Sequence, residues 1–162
     1  MIILGIDPGY ERLGIAVLEK KNGKENLLFS ACLKTSAKIP FNERLFLLGK
    51  ELEKIIKKWK PDIVATEKLF FTTNQKTAMH VSEIRGLIIY LAMLHNAEVR
   101  EFTPLEIKTA VVGYGKAEKR QVEHMVKTIL KLKDKKRLDD ETDAIACALT
   151  CSSCLSVKNE LK

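Results

Sequence analysis

The chain has 162 residues, 46% of them hydrophobic and 30% charged, which suits one domain with a real core and excludes a disordered or fibrous polymer. Lysine and arginine outnumber acids 28 to 21, a net charge of +7 that suits either a polyanionic partner or a merely basic surface. No apolar run approaches the roughly 18 residues of a bilayer-spanning helix and no basic leader with a cleavage site opens the chain, so the expectation is a cytoplasmic protein with no membrane partner.

"IILGID" (2–7) reads as a buried strand that ends on an acid and is stopped by Pro8-Gly9. "LGIAVLE" (13–19) and "NLLFSACLKT" (26–35) flank Asn22-Gly23, a strong hairpin signal, so the first three strands are antiparallel neighbours. From Phe41 to Lys58, leucines and isoleucines recur at helical spacing between lysines and glutamates. Pro61 then starts "DIVATE" (62–67), a second apolar run ending in an acid.

Helical patterns follow at 75–96, 104–111, 118–131 and 140–152, with a short strand at "EVREF" (98–102) and a glycine-punctuated loop, "GYGKAEKRQ". A basic linker precedes the last helix, and residues 153–162 read as a flexible tail beyond a single domain of 1–152. The pattern is α/β with a mixed sheet. A right-handed crossover through the 41–58 helix returns "DIVATE" parallel to "IILGID" and sets Asp7 beside Glu67 at the carboxyl ends of the strands.

The four cysteines are Cys32, Cys147, Cys151 and Cys154; a lone CxxC without a second pair points to reduced thiols rather than zinc. The three histidines fall at unrelated helical positions and form no triad with a serine or cysteine.

A third acidic cluster lies in "LDDETDAIACAL", where Asp140 and Asp143 share one helical face. Taken singly, Asp7 reads as a turn former and Asp140 as a helix-start acid. Glu67 is harder to explain structurally, because a carboxylate ending a buried strand is costly unless paired or bound to metal. Together, four carboxylates on three converging elements call for a cation. A pair of hard Mg²⁺ ions suits such oxygen ligands and phosphodiester chemistry, and Mn²⁺ is a substitute.

Nucleic acid is the matching substrate. Phe70 follows Glu67 closely and either joins the core or stacks on an unpaired base. Lys108, Lys116, Lys119 and Arg120 surround the glycine-flanked loop; each alone is a solvated charge, and as a set they can hold phosphates. Arg85, within the 75–96 helix, reads equally as a packing residue or a DNA-backbone clamp.

The motifs "GIDPGYERLGIAV", "EKLFFTTNQKTAMHVSEIRG", "VVGYGKAEKRQVEHMV" and "DDETDAIACAL", in this order and spacing, resemble the RuvC family of Holliday-junction resolvases. The resemblance implies a ribonuclease H-like mixed five-stranded β-sheet flanked by α-helices. It also implies that Asp7, Glu67, Asp140 and Asp143 are the metal-binding catalytic carboxylates. Lys119 would assist at the scissile phosphate, with Lys108 and Phe70 as DNA contacts. Family behaviour further implies a homodimer that nicks two strands of a four-way junction symmetrically, leaving 5′-phosphate and 3′-hydroxyl ends, alongside the RuvA–RuvB branch-migration complex. Asp139 stands beside the matched acids as an alternative ligand, and Thr142 replaces a usual alanine. The rival readings are an RNA-processing nuclease of RuvX type and a non-catalytic junction-binding module.

Overall fold

The structure is a computed structural model and describes residues 1–68, 75–133 and 137–160. Its five-stranded sheet has the order β3-β2-β1-β4-β5. Strands β1 (Ile2–Asp7), β2 (Arg12–Lys21) and β3 (Lys24–Lys34) form the antiparallel meander, and β4 (Ile63–Glu67) and β5 (Glu98–Phe102) add in parallel. The β2–β3 turn has left-handed backbone at both Asn22 (φ 53°) and Gly23 (φ 71°), the twist-matched geometry that Asn-Gly favours. The strands therefore run longer toward the turn than the apolar residues alone indicate.

Helices α1 (Phe41–Trp59) and α2 (Gln75–Leu94) cover one face. Leu48, Leu52 and Ile56 of α1 and Ile84, Ile88 and Ala92 of α2 pack there with Leu4, Ile6, Ile15 and Val17. The opposite face carries α3 (Pro104–Val112), α4 (Lys119–Ile129) and α5 (Asp139–Glu160). Residues Ala144 to Ser152 of α5 are all buried, because this helix lies between the sheet and the α3–α4 pair. A helix buried on all sides is apolar all round, and alanine, cysteine, Ile145 and Leu149 make it so here.

Two expectations change. The last helix does not stop at Ser152 but continues to Glu160. At Ser152 this helix is held to the sheet, since Lys20 Nζ donates to the Ser152 carbonyl at 2.7 Å and Ser152 Oγ donates to Glu25 at 2.8 Å. Within α2, the stretch Thr77–Leu94 is long and apolar enough, by length and composition alone, to cross a membrane. Its inner side is nevertheless core, and its Arg85 guanidinium is held by Glu101 of β5 (Nε to Oε1, 2.6 Å).

Candidate active site

Alternation along a strand decides where the acids point. Ile3 of β1 and Ala65 of β4 belong to the core under α5, so Asp7 and Glu67, an even number of residues further on, face the same side. The parallel register pairs Ile6 with Thr66, which makes Asp7 and Glu67 next-step neighbours at the carboxyl ends of adjacent strands. Asp140 and Asp143 arrive in the first turn and a half of α5.

What lets α5 approach is the absence of side chains beneath it. A Cβ on Gly14, the register partner of Asp7, would lie 1.9 Å from the Asp140 carbonyl oxygen. One on Gly5 would lie 2.2 Å from that of Ala144. The helix backbone thus rests directly on β1 and β2, and the α5 acids meet the strand acids.

The following turn is anchored separately. Arg44, 6% exposed, donates from Nη2 to the Tyr10 carbonyl at 3.2 Å and from Nε to Thr35 Oγ1 at 2.9 Å. Tyr10 packs edge-on against Phe41 and His80, which stack on each other. His80 is therefore a packing residue that helps fix the chain just beyond Asp7.

Burial and crowding of like charges show in the protonation equilibria. Burial, then repulsion from Asp143, Glu67 and Asp140, raises the Asp7 carboxyl from its ordinary 3.8 to about 7. Glu67 is raised by burial and Asp143, against the pull of Lys108 and Lys119. Burial also raises Asp143, although its hydrogen bond from Lys119 opposes this. Among the described residues neither Asp7 nor Glu67 is ion-paired.

The chain's own cations hold the other two acids. Lys119 Nζ donates to Asp143 Oδ2 at 2.9 Å, and Arg12 Nε lies 3.3 Å from Asp140 Oδ2. Cys32, opposite Gly14 on β3, places its sulfur 4.0 Å from the same Asp140 oxygen, and burial followed by that charge raises its thiol pKa. No three acidic, histidine or cysteine side chains among the described residues stand closed up as a metal cage. The donor set itself, all carboxylate oxygen and short of positive charge, is of the kind that hard divalent cations take.

A cleft of about 260 Å³ opens beside the acids, lined by Glu67, Lys108, Lys119 and Asp143 over an apolar floor of Ile107 and Val122. The capping box of Thr103 and Glu106 starts α3 and so aims Lys108 into it. Lys116 and Arg120 are exposed on the loop and helix beyond. Arg85 is engaged with Glu101, as described, and so its guanidinium is not free for phosphate as it stands. Phe70 lies outside the described residues. Sequence reading missed Arg12, Cys32 and the two glycine seats; Gly14 directly across from Asp7 was a signal only once the strand register was known.

A mixed sheet of this order, with acids ending its first and fourth strands and a helix bringing more across one face, defines the ribonuclease H-like class. A family model described as "Crossover junction endodeoxyribonuclease RuvC" matches residues 3–151. The chain belongs to the RuvC family. It is 44% identical over 149 residues to the RuvC of Alkaliphilus metalliredigens, covering 92% of this chain and 91% of the relative. It is 46% identical to that of Caldanaerobacter subterraneus subsp. tengcongensis, covering 92% and 90%. The solved structure of T. thermophilus RuvC in complex with a Holliday junction substrate aligns with a TM-score of 0.92 at 32% identity, over 98% of this chain and 96% of that one.

Proposed function

We propose that this chain resolves four-way (Holliday) DNA junctions in recombination and repair by paired, symmetric phosphodiester hydrolysis. The observation that carries the reading is the convergence of Asp7, Glu67, Asp140 and Asp143 beside a cleft edged by Lys108 and Lys119. Asp7, Glu67, Asp140 and Asp143 would hold the divalent cations, two Mg²⁺ per site with Mn²⁺ as a substitute, and such ions would supply positive charge to the phosphate and acidify the attacking water. Water attacks phosphorus, the bond to the 3′-oxygen breaks, and that oxygen takes a proton, leaving 3′-hydroxyl and 5′-phosphate ends. Lys119 stabilises charge on the phosphate, Lys108 holds the backbone, and Lys116 and Arg120 extend the phosphate track. Phe70 is proposed as a base-stacking contact near the junction centre.

With Mg²⁺ and a synthetic mobile junction, mapped cuts are expected at symmetric positions on two strands of like polarity. Cleavage of structured RNA in preference to the junction would favour the RuvX-type reading. Junction binding without product across Mg²⁺ and Mn²⁺ titrations would favour a non-catalytic module.

Paired cuts need paired sites, and we assign the outer side of α2 to a second copy of the chain. Met79, Gly86, Tyr90 and Met93 recur there at helical spacing and are exposed, beside Phe46 on α1. Among the described residues a Cβ on Gly86 would meet nothing within 4 Å, so nothing described packs on this glycine and a facing helix has room there. An isologous contact along this stripe presents two sites related by a two-fold axis. Tyr90→Glu is expected to convert a micromolar dimer to monomer in sedimentation equilibrium, with an unchanged circular dichroism spectrum and loss of coordinated cuts. The RuvA–RuvB complex is the proposed partner in the cell, and the cytoplasm the proposed compartment.

A further inference from the structure

Lys119 stands between two carboxylates of α5. Its Nζ donates to Asp143 at 2.9 Å and lies 3.5 Å from Asp139 Oδ2. The two acids are four residues apart and share one side of the helix, but their settings differ. The Asp143 side chain is 32% exposed and lines the cleft, whereas that of Asp139 is 70% exposed.

A divalent cation and this ammonium therefore compete for Asp143. Two cations a few ångströms apart in a partly buried site repel strongly. The ammonium sits on a flexible four-carbon stem, and a second acceptor is already within reach.

We propose that Asp139 is the positioning residue for Lys119: it receives the ammonium when a divalent cation takes Asp143, and so keeps it at the cleft. Lys119 is then a stand-in cation in the metal-free protein and a phosphate-facing group in the loaded one. The proposal rests on the metal-dependent nuclease reading above. It assigns Asp139 a role distinct from that of a metal ligand.

A double-mutant cycle on the full chain separates these roles, read by Mn²⁺ binding in paramagnetic resonance and by junction kinetics at saturating metal. Lys119→Met should tighten Mn²⁺ several-fold by removing the competitor. Asp139→Asn should weaken Mn²⁺ several-fold when Lys119 is present, and by less than about twofold, the share of its bare charge, in the Lys119→Met background. It should also lower kcat about tenfold with KM unchanged, and Asp139→Glu should restore both readouts. Equal weakening in the two backgrounds would make Asp139 a ligand and overturn the proposal, as would no weakening in either. If the unmodified chain neither binds Mn²⁺ nor cuts a junction, the nuclease reading itself fails and this proposal with it. A chain that cuts but shows no Lys119–Asp139 coupling overturns the proposal alone.

Discussion

Asp7→Asn is expected to abolish junction cleavage, by at least about a thousandfold, while raising the melting temperature of the metal-free protein at pH 8. The sign follows from the folded-state pKa of Asp7, which lies above its ordinary value, at about 7 instead of 3.8. Such a group contributes stability that is fully present below about pH 4 and is lost as pH rises through about 7. At pH 8 the folded protein therefore holds an ionised, half-buried carboxylate among other acids. A rise of that size corresponds to roughly 4 kcal/mol, and solvent reaching the site reduces it to about 2 kcal/mol. Asparagine keeps the shape and removes the charge, so the variant should melt about 4–8 °C higher at pH 8. The gap should shrink as pH falls toward 4. Mg²⁺ should raise the melting temperature of the unmodified protein more than that of the variant. Identical melting curves for the two metal-free proteins at pH 8 would count against the crowded-acid picture.

Gly14→Val should be the most damaging single change outside the acids. A Cβ at this position would sit 1.9 Å from the Asp140 carbonyl oxygen and 2.5 Å from its carbon. Both contacts are backbone, so no rotamer relieves them and the start of α5 must lift away from β2. Overpacking of this kind costs about 3 kcal/mol, readable as a lower urea midpoint at unchanged slope. Well below that midpoint, cleavage should fall at least about a hundredfold, because Asp140 and Asp143 retreat together from Asp7. Gly14→Ala should give a smaller loss of the same kind. Full cleavage by folded Gly14→Val would show that the close seat of α5 is not needed by the site.

These two expectations mark what was and was not legible in the sequence. Asp7 and Glu67 were legible because each ends an apolar run, and period-two alternation with a parallel crossover puts them side by side. The hairpin was legible because Asn22-Gly23 fits few other backbone shapes. Gly14 was not, because a glycine within a strand reads as a weak point until the helix above it is placed. The pairs Arg12–Asp140 and Lys119–Asp139 join residues distant in the chain, so local pattern carries no trace of them. The end of α5 was missed for a related reason. "SSCLSVKNE" looks like a solvated tail, and the side chains that hold its first residue, Ser152, are Lys20 and Glu25 of the second and third strands.

The sharing of the acids between β1 and α5 also bears on how the protein is made. Asp7 leaves the ribosome well before Asp140 and Asp143, which follow only after the five strands and four of the helices have been synthesised. Closing so long a loop comes late in assembly. Until α5 seats on Gly5 and Gly14, the growing chain holds two acids at its strand ends and no complete site. A polypeptide that stalls or is cut before its last helix therefore lacks two of the four acids proposed to hold the metal.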